Sequence, residues 1–182
     1  MSLQSRAVTM TKQMIQIEST DPGTYENAMA DWITTQLAPY PNVRLSRQEV
    51  LPGRPNLIAE LTGDPSLPAL VMICHMDTVV VGDGWTLPPF DAIEKDGKIY
   101  GRGACDMKSG LACCLSAFQY AAETLQTSGK TPKQTLKLIC SMDEEDFMRG
   151  SEACIQAGWV TDHDWVIDAE PTNGQIQMAH KG

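Results

Sequence analysis

Six cysteines occur without one Cys-x-x-Cys pair, and histidine is found only at His75, His163 and His180. This spacing argues against a thiolate zinc ribbon and against a disulfide framework. Cys74, Cys105, Cys113, Cys114, Cys140 and Cys154 lie mostly in apolar surroundings and read as reduced, small core residues. No apolar run approaches the ~20 residues of a membrane span. The first twenty residues are polar and helix-like, unlike a signal peptide, so the expected location is cytoplasmic. Basic residues are outnumbered: 14 Lys and Arg face 23 Asp and Glu, a net charge of −9 that argues against nucleic acid or an anionic membrane as partner. No internal repeat, low-complexity tract or linker divides the 182 residues, which suffice for one domain with a real core.

What is present is an alternation of helix and strand signals. Apolar residues at helical spacing predict helices over Ser5 to Ile17, Tyr25 to Leu37, Leu111 to about Gln126 and Ser151 to Ala157. Strands are expected over Val43 to Val50 and Asn56 to Leu61, joined across Pro-Gly-Arg-Pro, then over Leu70 to Cys74, Leu136 to Ser141 and Trp165 to Ile167. Ala92 to Glu94 and Lys98 to Tyr100 form a hairpin around Asp96-Gly97, and Gln175 to Ala179 reads as extended. Such alternation indicates an α/β three-layer sandwich, with a mixed, mostly parallel central sheet and helices on both faces.

Acidic chemistry collects at the carboxyl ends of these apolar strands, where open α/β sheets bind ligands. The strand ending at Cys74 delivers His75 and Asp77, which point the same way while Met76 points away. There His75 can offer a metal a nitrogen, held by the Asp77 carboxylate. The strand ending at Ser141 delivers Asp143 to Asp146, and the one ending at Ile167 delivers Asp168 and Glu170. Asp106 precedes the buried helix. Taken singly, each has an ordinary explanation, such as a structural histidine, a helix cap or a solvated turn. Four acid-bearing segments together are costly to bury unless something pairs them, and a pair of divalent cations would do so.

In sequence, His75-Met-Asp-Thr-Val, Gly101-Arg-Gly-Ala-Cys-Asp-Met-Lys-Ser-Gly, Ser141-Met-Asp-Glu-Glu and Ala169-Glu-Pro-Thr resemble the signatures of the co-catalytic zinc peptidases and deacylases. That family includes acetylornithine deacetylase, succinyl-diaminopimelate desuccinylase, aminoacylase and the glutamate carboxypeptidases. The resemblance implies that His75 and Glu170 hold one metal and Glu145 the other, that the Asp106 carboxylate bridges them, and that the Asp106–Met107 peptide is cis. It assigns Glu144 as general base and Asp77 as the partner orienting His75. The implied cofactors are two divalent ions, zinc by preference, with cobalt or manganese accepted by an oxygen-rich site.

The implied reaction is hydrolysis of the amide bond of an N-acyl amino acid or small peptide with a free carboxylate. Family members continue into a lid or dimerisation domain and return with a late histidine for the second metal. Residues 1–182 are therefore expected to be the N-terminal part of the catalytic domain, inactive alone, with a homodimer forming through the lid. The alternative, a non-catalytic metal-binding or interaction module on the same fold, has no chemical need for a base at Glu144 beside a ligand at Glu145.

Overall fold

A computed structural model describes residues 2–178. In chain order the elements are α1 (Leu3–Ile15), β1 (Thr20–Asp21), α2 (Asn27–Leu37), β2 (Arg44–Leu51), β3 (Arg54–Leu61), β4 (Leu70–His75) and β5 (Thr78–Val79). They continue with β6 (Ile93–Lys95), β7 (Lys98–Tyr100), α3 (Ser109–Ser128), β8 (Leu136–Ser141), α4 (Arg149–Gln156) and β9 (Trp165–Asp168). Every predicted helix and strand through Ile167 is found, with ends shifted by a few residues. The Pro-Gly-Arg-Pro connection is tighter than expected, because β3 starts at Arg54 and pairs it directly with Leu51. The segment from Gln175 to Met178 has no strand partner among the described residues, and Ala179 lies outside them.

The central sheet has the order β2-β3-β8-β4-β9. Since β3 is antiparallel to both β2 and β8, while β4 is parallel to β8 and β9, four strands run one way and β3 alone runs back. Side-chain parity sorts the core into two layers. Leu57, Ala59 and Leu61 of β3, Met72 and Cys74 of β4, and Leu138 and Cys140 of β8 meet α1, α2 and α3, with Phe118 and Leu115 fully buried between them. The alternate residues Ile58, Val71 and Ile139 face the other way and pack on Cys154 of α4. This is the expected three-layer arrangement, with a single short helix on the thinner side.

Two features were not foreseen. Thr20 and Asp21, just past the predicted first helix, form a short parallel pair with Thr78 and Val79. Ser19 extends the pair with two bonds to the facing segment, donating from Oγ to the Met76 carbonyl at 2.7 Å and accepting the Thr78 amide at 3.0 Å with its own carbonyl. Of the cysteines, Cys74, Cys114, Cys140 and Cys154 are buried as expected, but Cys105 and Cys113 are exposed. Cys105 lies on the turn before α3 and Cys113 on its outward side, and both line an apolar groove against Leu3, Ala7 and Val8 of α1.

Candidate metal centre

His75 ends β4 and is almost wholly buried. Its Nδ1 lies 2.9 Å from the Asp77 carbonyl, which can only accept, so Nδ1 carries a proton and Nε2 is the nitrogen turned toward the acids. The Asp77 carboxylate, expected to hold the imidazole, is 3.7 Å from Nδ1 and serves a different purpose. It accepts the backbone amides of Glu144 at 3.1 Å and Glu145 at 3.0 Å. Asp77 thus fixes the imidazole with its main chain and the acidic turn with its side chain. Met76 points into the core, as strand alternation requires.

Around Nε2 the predicted acids converge. Asp106 Oδ1 is 3.1 Å away, Glu170 Oε1 3.4 Å and Glu144 Oε2 3.7 Å. One ligand atom each from His75, Asp106 and Glu145 lies within 4.8 Å of the others, and the same holds for His75, Glu144 and Glu170. Asp106 is placed by its neighbours: Met107 is buried and its Sδ accepts the His75 amide at 3.0 Å. The fully buried Lys108 donates to the last carbonyls of the α1 segment, Met14 at 3.1 Å and Ile17 at 2.8 Å. The Asp106–Met107 peptide is cis.

Electrostatics follow from this crowding. Burial alone would lower the His75 pKa, but the bond to Asp106 and the charges of Asp77, Glu170 and Glu144 raise it to about 9. Burial pushes Glu170 up to about 8, with His75 opposing and Asp106, Asp168 and Glu144 reinforcing. Glu144 and Glu145 are also raised, chiefly by burial, whereas the His75 bond pulls Asp106 below its ordinary value. One neutral-capable imidazole amid carboxylates that burial disfavours as free anions is a donor set that a divalent cation fits.

The other predicted acids have different placements. Asp143 is buried away from His75, its carboxylate bound by Arg149 at 2.5 and 2.6 Å. Asp168 ends β9, and burial raises it. His163 is exposed beside Asp162, and His180 lies outside the described residues. In the irregular loop after β5, Trp85 donates to the Val81 carbonyl at 2.8 Å and carries the Arg102 guanidinium 5.3 Å from its ring centre. Asp77's grip on the turn and Arg54's buried contacts, described below, escaped sequence reasoning because their partners lie far along the chain.

A buried histidine ringed by carboxylates at the carboxyl ends of a mixed sheet is a candidate metal centre of the kind a metallohydrolase would use. The chain belongs to peptidase family M20/M25/M40, whose model matches residues 71–180. A probable succinyl-diaminopimelate desuccinylase from Staphylococcus aureus is 40% identical over 131 residues, covering 71% of this chain and 31% of that protein. The matched stretch thus spans less than a third of the length of this relative. Its fold is similar to an M20 family metallo-carboxypeptidase from Sulfolobus solfataricus, with a TM-score of 0.69 at 21% identity over 90% of this chain and 37% of that one. It is also similar to the YXEP protein of Bacillus subtilis, a dinuclear metal binding peptidase, with a TM-score of 0.60 at 17% identity over 91% and 42%. No helix among the described residues is long and apolar enough to cross a membrane.

Proposed function

We propose that this chain carries the metal-binding half-site of a hydrolase that cleaves the amide bond of an N-acyl amino acid or small peptide. The observation that supports it is the convergence of Asp106, Glu144 and Glu170 on one buried imidazole nitrogen, all within 3.7 Å. His75 and Glu170 would hold one divalent ion, Glu145 would serve the other, and Asp106 would bridge. Zinc suits this set, and cobalt or manganese would also be accepted. Once bound, such ions supply Lewis acidity toward the amide carbonyl and the attacking water.

The chain's own residues do the rest. Glu144, its pKa raised mainly by burial, takes the proton from the water and delivers it to the leaving amine. Asp77 keeps Glu144 and Glu145 in place through their amides, and its carbonyl keeps His75 in the tautomer that leaves Nε2 free. The desuccinylase relative suggests an N-acyl substrate with free carboxylates, and the peptidase neighbours suggest a dipeptide. Residues gripping the substrate carboxylate, a lid and a dimer contact are assigned to sequence beyond this stretch, so residues 1–182 alone should turn over little substrate.

The test is a panel of acyl-amino acids and dipeptides with metal-replete protein of the relatives' full length. Glu144→Ala should abolish hydrolysis while metal is retained. Undiminished activity would remove Glu144 from the mechanism. Robust metal-dependent hydrolysis by the 182-residue chain would overturn its assignment as a half-site.

A further inference from the structure

Behind the turn that carries Glu144 and Glu145 lies a second group of acids. Asp21, Glu26 and Asp143 are buried, and Asp21, Glu26 and Asp77 each offer a carboxylate oxygen within 4.8 Å of the others. The buried cation among them is Arg54, the first residue of β3. Its Nε donates to Glu26 Oε2 at 2.9 Å and its Nη2 to Glu26 Oε1 at 2.5 Å, and Nη2 also bonds Asp21 and lies 3.3 Å from Asp143 Oδ1. The guanidinium stacks 4.2 Å from the Tyr25 ring centre. Glu26 Oε1 then accepts the Asp143 amide at 3.1 Å, one residue before Glu144. Arg54 is therefore tied to the acidic turn twice, by charge to the Asp143 carboxylate and by way of Glu26 to its backbone.

We propose that Arg54 is a positioning residue for the metal centre, holding the Asp143–Glu145 turn so that Glu144 and Glu145 face His75, without itself touching metal or substrate. The inference rests on the reading of Glu144 and Glu145 given above. A guanidinium suits the task because its planar fork serves three carboxylates at fixed angles, whereas an ammonium supplies the same charge as a point. Removing charge outright would leave the buried carboxylates of Asp21 and Glu26 uncompensated, while Asp143 would keep Arg149. The informative variants are therefore R54K and the charge-balanced pair R54M with E26Q.

Two measurements on the 182-residue chain decide the matter. Hydrogen exchange without metal reads the amides of Asp143, Glu144 and Glu145, and titration with Co2+ followed by its absorption reads the centre. Both variants should lose protection at those amides while β4 and α3 keep theirs, and cobalt affinity should fall about tenfold, the typical effect of a supporting group behind a ligand. Val71→Ala, on the opposite face of the sheet, provides a control for general destabilisation. Cobalt binding and local exchange equal to wild type in both variants would overturn the proposal. So would protection lost throughout the sheet, with cobalt affinity tracking melting temperature as in Val71→Ala, since Arg54 would then be a core residue only. If the wild-type chain takes up no cobalt, the metal reading itself fails, and the exchange comparison alone decides the role of Arg54.

Discussion

The two sides of the candidate centre hold the same kind of group by different means. Glu144 and Glu145 ride on a turn gripped from several directions: Asp77 takes their amides, Glu26 takes the amide before them, and Arg149 binds Asp143. Asn56 straps the base of the loop, accepting the Met142 amide at 3.0 Å and donating to the Gly150 carbonyl at 2.8 Å. Glu170, across His75, follows β9, an edge strand whose four residues are all exposed. It is located by the pairing of β9 with β4 and by Ala169 lying against Gly110, where an added Cβ would sit 2.3 Å from the Ala169 carbonyl oxygen. One side is preorganised by a buried polar network, and the other by main-chain contact.

The largest expected effect removes what the two sides share. His75→Ala should lower cobalt affinity by more than about 100-fold, exceeding the loss typical of supporting residues; titration that still shows tight binding would mean the sides bind cations independently. Asp77→Ala strikes the networked side alone. It leaves two amides without their carboxylate, at a cost of about 2–6 kcal/mol in denaturant unfolding, and should expose Glu144 and Glu145 to exchange. Gly110→Ala strikes the other side. The crowding of Ala169 should cost about 1–3 kcal/mol and weaken cobalt binding while the Glu144 and Glu145 amides stay protected; unchanged affinity would show that Glu170 is held by something else.

The smallest effect concerns the support under β9. Burial alone would raise the Asp164 carboxyl, but amides of Ala69 and Thr161, both at 2.9 Å, bring it below its ordinary value. A carboxyl lower in the folded state stabilises above its unfolded pKa of about 4, and that contribution disappears as pH falls through the folded value. Asp164→Asn should therefore cost about 1 kcal/mol near neutrality and progressively less in acid, read from melting curves across pH.

That the side chains of the candidate centre come together was legible because apolar runs announce their ends: Leu70 to Cys74 stops at His75, and Leu136 to Ser141 and Trp165 to Ile167 are followed within two residues by acid. The residues that support them were not. Arg54 sits in what reads as a Pro-Gly turn, and its partners Asp21, Glu26 and Asp143 are scattered along the chain, so only folding reveals them as counterions. Asp77 looked like the imidazole's carboxylate partner because the i, i+2 spacing places both side chains on one side of an extended strand. The strand ends at His75, the backbone turns, and the carbonyl takes that place instead. Cys113 was misplaced because small apolar neighbours along a helix do not reveal which side stays open, and Cys105 because it lies on the turn before that helix and not within it.

The single reversed strand has a consequence for how such a centre is built. Strands pointing one way deliver their carboxyl ends to a common rim, and those ends supply His75, the Asp143–Glu145 turn and Glu170. Because β3 runs backwards, with Leu57 opposite Cys140, it brings its beginning to that same rim. Arg54 and Asn56 arrive there as the first residues of a strand, anchored before the chain crosses the sheet. In the proposed centre the forward strands would provide His75, Glu145 and Glu170, and the backward one the scaffold behind them. A change in the 52–55 turn would thus be felt at the centre although no residue of that turn belongs to it.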